Sequence, residues 1–148
     1  MKLRILAGSI VFFLVASACG FTFHIPTDRV IGSGKLATET RQVSGFDQVV
    51  LEGSGDIYLE QGEKESLTVE ADDNIIDLVK TEVNGSRLEL GIKPNRNVST
   101  RQQVVYRLTV KDVHSLTIAG SGKLYAKPFQ TTNLSLSTLW VNPTVKIR

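Results

Sequence analysis

Apolar and polar residues alternate over much of the chain, the period-two signature of strands with one face buried. The pattern is clearest in Val49-Val-Leu-Glu-Gly-Ser-Gly-Asp-Ile-Tyr-Leu59, where a Gly-Ser-Gly corner separates two alternating segments. The same arrangement returns sixty-seven residues later as Leu116-Thr-Ile-Ala-Gly-Ser-Gly-Lys-Leu-Tyr-Ala126. Position by position, Phe46 falls on Val113, Val49 on Leu116, Leu51 on Ile118, one Gly-Ser-Gly on the other, and Tyr58 on Tyr125. A weaker third copy stands upstream at Gly32-Ser-Gly-Lys-Leu36.

Apolar pairs recur at Val49 and Leu51, Leu67 and Val69, Leu88 and Leu90, Leu108 and Val110, and Leu134 and Leu136, with an extra pair at Leu116 and Ile118. Leaving out the extra pair, successive pairs lie about 18 to 26 residues apart, which suits one coil of a stacked architecture per pair. The expected fold is therefore all-β, a parallel β-helix-like solenoid with one short helix. A β-sandwich built from the same short strands is the alternative. Gly53, Gly55, Gly120 and Gly122 are expected at corners that need positive φ. The helix is expected in Asp72-Asp-Asn-Ile-Ile-Asp-Leu-Val-Lys80, where N-capping residues precede an apolar run and a lysine. Asn84-Gly85 predicts a tight turn, and the polar stretch from Pro94 to Gln103 predicts a mobile loop.

The N-terminus departs from this pattern. Lys2 and Arg4 precede an apolar run from Ile5 to Ala18, which reads as a secretory signal over residues 1–18. It is shorter than the roughly twenty apolar residues of a membrane-spanning helix. The only cysteine, Cys19, follows Ala16-Ser-Ala18 directly, and this order resembles a bacterial lipobox, with Ala16 where leucine is usual. Cys19 is thus the expected lipidation site and mature N-terminus, and residues 19–31 the tether of an exported, outer-membrane lipoprotein. Periplasmic or secreted placement is the alternative. A lone cysteine forms no internal disulfide, so the fold rests on packing. The chain carries 17 Lys and Arg against 15 Asp and Glu, and removal of the signal leaves the charges balanced. A basic footprint for nucleic acid or for an anionic membrane surface is absent from the overall charge balance.

Arg41-Gln-Val-Ser-Gly-Phe-Asp47, the segment Val49–Leu59, Leu67-Thr-Val-Glu-Ala-Asp-Asp-Asn74, Gly85-Ser-Arg-Leu-Glu-Leu90 and the second Gly-Ser-Gly segment together resemble the bacterial head GIN domain family. The resemblance covers about residues 32–137 and leaves a divergent tail at 138–148. It implies a cell-envelope protein with a β-helical fold and no established reaction. The tail contains the only tryptophan, a proline and no glycine where a Gly-rich corner is expected, so the chain reads as truncated, a frameshift being one cause; the alternative is that Leu139, Trp140 and Val141 fold back as a cap.

Candidate chemistry is sparse. Gly-Ser-Gly precedes strands here, whereas a phosphate-binding loop precedes a helix. His24 and His114 have no partners at metal-ligand spacing, and neither a metal nor a cofactor is expected. Asp72 and Asp73, with Asp77 and Glu82, form the one acidic cluster, and a glycosidase needs two carboxyls across a groove. Tyr58 and Tyr125 occupy outward positions of equivalent strands and form a candidate ligand surface. The expected function is a non-catalytic binding, adhesion or scaffold module, anchored to the membrane by its N-terminal lipid and recognising a glycan or an envelope protein. An envelope carbohydrate-active enzyme is the alternative.

Overall fold

The computed structural model describes residues 29–128, 130–131, 133–139 and 144–147. The expected signal segment, Cys19 and His24 lie outside the described residues. Eleven strands and a single 3-10 turn make up the regular structure that is described. The strands are β1 (Arg29–Ile31), β2 (Leu36–Arg41), β3 (Gln48–Gln61), β4 (Ser66–Asp72), β5 (Val79–Asn84), β6 (Arg87–Ile92), β7 (Asn97–Ser99), β8 (Val105–Val110), β9 (Ser115–Ala126), β10 (Ser135–Leu139) and β11 (Thr144–Ile147).

The hub is β3. Along one edge it pairs with β9 in parallel, Gln48 opposite Ser115 through Leu59 opposite Ala126, so that Gly53 meets Gly120 and Tyr58 meets Tyr125. The repeat read from the sequence is therefore also the register of the two strands. The other edge of β3 is divided: Gln48–Leu51 pair with β6 and Asp56–Gln61 with β8, both in parallel. The far edge of β9 is divided likewise between β10 and β11. Each long strand thus serves two wings, which diverge at the Gly-Ser-Gly segment. β5 extends one wing by antiparallel pairing with β6, and β4 and then β2 extend the other by antiparallel pairing from β8. β1 and β7 form a separate parallel pair.

The chain is nearly all β, as expected, but the nine-stranded sheet is mixed and does not close. The correspondence of each apolar pair to one parallel coil does not hold, because Leu67 and Val69 lie on a strand antiparallel to both neighbours. Alternation reports which face is buried and carries no information on strand direction. Thr144–Ile147, inside the expected divergent tail, pair with the second half of β9.

Buried side chains of both wings join in one core. Val49, Leu51, Leu88, Leu90, Leu116 and Ile118 come from one wing, and Ile57, Leu59, Leu67, Val69, Leu108 and Leu124 from the other. Tyr106 of β8 fills the fork between β6 and β8. Its ring lies against Gly55, and its hydroxyl is 3.4 Å from the Gly91 carbonyl oxygen on β6. Burial pushes the Tyr106 phenol well above its ordinary pKa, so it remains a donor.

The corner glycines differ from expectation. Positive φ occurs at Gly53 (97°) and Gly120 (143°) and not at Gly55 or Gly122. Gly55 is required by space, since a Cβ there would stand 2.7 Å from Tyr106 Cε2. At Gly122 a Cβ would collide with the Gly55 carbonyl oxygen of the stacked strand.

The expected helix shrinks to a 3-10 turn at Ile76–Leu78, whose N-cap residue, Ile75, makes no side-chain cap bond. Ile75, Ile76 and Val79 are all buried in the core, and the side chains of Asp72, Asp73 and Asn74 are engaged elsewhere, as described below. Part of the stretch expected to be a mobile loop is instead β7, paired with β1.

Leu51→Ala and Ile118→Ala should each destabilise the fold by about 2 to 5 kcal/mol in chemical denaturation, as cavities in a core do. Gly122→Ala should be more damaging than Gly85→Ala, because Gly85 has positive φ but open space around its Cβ position. Equal losses at the two glycines would contradict the stacked-corner account.

Candidate functional site

Three cross-strand pairs line the outward face where the second half of β3 lies beside that of β9. They are Asp56 with Lys123, Tyr58 with Tyr125, and Glu60 with Lys127. The Lys123 backbone N–H donates to Asp56 Oδ1 at 3.0 Å, and the Lys127 ammonium bonds Glu60. The tyrosine rings stack at 4.6 Å between centroids with 13° between planes. That distance is close to the spacing of neighbouring strands, so identical residues in parallel register bring the rings face to face.

Both tyrosines lie on the outward face as the alternation predicts, Tyr58 being 38% exposed. Their stacking changes what they present. Arg107 of β8 holds its guanidinium carbon 5.0 Å from the Tyr58 ring centroid, opposite Tyr58 in the ladder on the side away from β9. Tyr58 is thus flanked by a cation and an aromatic ring, and offers a ligand its edge and hydroxyl. Arg107 is fixed in turn by Glu70, Nε to Oε1 at 2.6 Å, and this bond raises the guanidinium pKa further. Sequence reasoning missed Arg107, which belongs to no repeat, although its place opposite an aromatic residue is a signal once strand pairing is known.

Together Tyr58, Glu60, Arg107, Thr109, Tyr125 and Lys127 border an open groove of about 510 Å³. The hydrogen bond and charge of Lys127 hold the Glu60 carboxyl below the usual carboxylate range, which keeps it ionised, whereas a glycosidase acid needs a raised pKa.

Of the acidic cluster, Asp72 and Asp73 are engaged in holding the fold, whereas Asp77 and Glu82 are exposed. Asp72 is fully buried, and its carboxylate accepts from the N–H groups of Gly34 (2.7 Å), Arg101 (2.9 Å) and Gln102 (3.1 Å). Asp73 accepts from the Ser33 hydroxyl at 2.6 Å, and Asn74 accepts from the Ser33 N–H and donates to the Ile31 carbonyl, both at 2.8 Å. The third Gly-Ser-Gly copy therefore stacks on no other corner and wraps the Asp72 carboxylate, with Gly32 leaving space that a Cβ would take from it. His114 lies exposed just before β9, 3.8 Å from Asp47 and 3.5 Å from Asp112. Among the described residues no group of three or more His, Cys, Asp or Glu is placed to hold a metal.

Fold and groove define a β-sheet module organised around an in-register side-chain ladder. The chain belongs to the family described as "Putative auto-transporter adhesin, head GIN domain", whose profile covers residues 45–139. It is similar to a solved structure from Parabacteroides distasonis described as a "Putative lipid binding protein", with TM-score 0.69, 25% identity, and coverage of 75% of this chain and 49% of that one. It is also similar to a "putative adhesin" from Parabacteroides merdae (TM-score 0.67, 21% identity, 75% and 47% covered) and one from Bacteroides fragilis (0.67, 23%, 80% and 55%). The chain spans about half the length of these structures. No curated protein matches it.

Two outcomes are expected. In a double-mutant cycle, Tyr58→Ala and Tyr125→Ala should show a coupling of about 0.5 to 1.5 kcal/mol, and a coupling near zero would remove the stack as a stabilising element. The second outcome concerns acid. Burial pushes the Asp72 carboxyl up, but the N–H groups of Gln102, Arg101 and Gly34, with the Arg101 charge, outweigh it and hold the pKa below its ordinary 3.8. A depressed folded pKa contributes stability that is present above the ordinary value and is lost as pH falls through the folded one. The melting temperature of the native chain should therefore drop steeply below about pH 4, and that of Asp72→Asn should start lower and depend less on pH. Parallel acid limbs for the two proteins would refute this.

Proposed function

We propose that the chain is a non-catalytic recognition module of a cell-envelope lipoprotein, and that the groove beside the tyrosine ladder binds an envelope glycan. The observation that carries the reading is the ladder itself. It is a rigid outward row of aromatic edges, hydroxyls and paired ions, suited to a ligand dense in hydroxyl groups. Family membership and the adhesin descriptions of similar structures agree with an exported binding protein. The parallel stack of β3, β9, β10 and β11 supports reading this part of the sheet as a segment of solenoid, a form that displays extended surfaces.

The anchoring half of the proposal rests on Cys19 and the Ala16-Ser-Ala18 that precedes it. Mass measurement of the N-terminal peptide should show an acylated Cys19, and a Cys19→Ser chain should leave the membrane fraction. An unmodified cysteine would end this half alone.

Binding is tested by co-sedimentation with purified peptidoglycan and by affinity electrophoresis in soluble envelope polysaccharide. The native chain should be retained by at least one of these, and Tyr58→Ala with Tyr125→Ala should weaken retention about tenfold, close to 1.4 kcal/mol. Failure of every glycan to retain the chain, or equal retention of the folded double variant, would overturn the assignment.

A further inference from the structure

We infer that the loop joining β1 to β2, residues 32–35, with the flanking Ile31 and Leu36, is a membrane-contact element that seats the domain on an anionic lipid leaflet. Large hydrophobic residues are exposed at few described positions, and two of them, Ile31 (58%) and Leu36 (53%), flank this one loop. Leu36 takes the first outward position of β2, a face continued by Thr38 and Thr40. Cations stand beside these apolar side chains. Arg29 is two residues before Ile31, the Lys35 side chain is 82% exposed, and the Arg101 side chain packs over Gly34. Of the nearby carboxylates, Asp72 is buried under the loop, Asp73 lies 3.5 Å from Lys35 and offsets part of its charge, and Asp28 precedes Arg29 in sequence. Apolar side chains flanked by cations match the lipid headgroup boundary, where the chains enter the interface and the charges meet anionic headgroups.

The clamp beneath the loop gives this surface its form. A fully buried carboxylate needs strong compensation, and here the compensating donors include Gly34 within the loop and Arg101 beside it. Ser33 is held on both its N–H and its hydroxyl, and the Ile31 carbonyl is held by Asn74. Ile31 and Leu36 therefore project from a backbone already fixed, so contact with lipid requires little further ordering.

Under the anchoring reading above, the lipid also limits how far this loop can stand from the bilayer. Nine residues separate Cys19 from Arg29, and fully extended they reach about 30 Å, so an acylated Cys19 keeps β1 near the bilayer. Phe21, Phe23 and Ile25 lie within that short stretch.

The test uses the full chain, extracted from the envelope and returned to phosphatidylcholine vesicles with or without phosphatidylglycerol. Cysteines introduced one at a time as Ile31→Cys, Leu36→Cys and, in the β5–β6 turn, Ser86→Cys carry an environment-sensitive fluorophore, any signal from label on Cys19 being subtracted with the native chain treated alike, and the lipids carry nitroxide on their acyl chains. Labels at positions 31 and 36 should shift to the blue and lose most of their emission, more so with phosphatidylglycerol, while the label at 86 should not. Unquenched labels at 31 and 36, or equal quenching at 86, would overturn the inference. So would blue-shifted emission at 31 and 36 that is the same without vesicles, which would mean that the chain covers its own loop. The mass of the N-terminal peptide separates the two readings. Quenching in an unacylated chain would remove the anchor and keep the contact, and an acylated chain without quenching would do the reverse.

Discussion

The structure depends on one close approach, the stacking of the β9 corner on the β3 corner. At both Gly120 and Gly122 a side chain would occupy the place of a carbonyl oxygen from β3. The two backbones can meet there only because nothing projects between them. That contact sets the register, and the register sets both wings at once, since Val49 is placed on Leu116 by the same alignment that places Ile57 on Leu124. A core drawing on both wings therefore hangs on a few atoms that carry no side chain.

How much of this could be read from the chain follows from what each pattern encodes. The sixty-seven-residue repeat is legible because in-register parallel strands place equivalent residues side by side, so the offset and the pairing are one fact. The buried set is legible from alternation, as Leu67, Val69, Leu88 and Leu90 show. Strand direction is not, because a period of two is the same read either way, and so β4 passes for a parallel coil. The cluster at Asp72 misleads for another reason. Asp and Asn before an apolar run fit a helix cap, yet their partners here are backbone N–H groups and the Ser33 hydroxyl, some thirty to forty residues away, and these leave no mark in the composition. In the groove, the outward placement of Tyr58 and Tyr125 follows from the pattern, whereas the Arg107 cover depends on which strand lies on the other side of β3.

Charge along the ladder is balanced strand against strand. Glu60 is neutralised by Lys127 and Arg107 by Glu70, so the groove carries several ions and little net field. Selectivity at such a surface comes from short-range fit and hydrogen bonding more than from long-range attraction, and should vary little with ionic strength. The β1–β2 loop is built differently, since the carboxylate that holds it in place is buried beneath it while Lys35 at its end stays exposed beside Asp73.

The forked pairing of β3 also governs the order in which the molecule can assemble. All three partners of this strand, β6, β8 and β9, follow it in the chain, and the last of them ends at Ala126. The strand synthesised early is thus completed late, and local hairpins such as β5–β6 can form while the hub still has open edges. Non-local parallel pairing of this kind is slow, and an unpaired alternating strand is a site of misassociation. The nascent chain will need its β3 segment kept from other strands until β9 has emerged, which makes the second Gly-Ser-Gly segment the step that commits the fold.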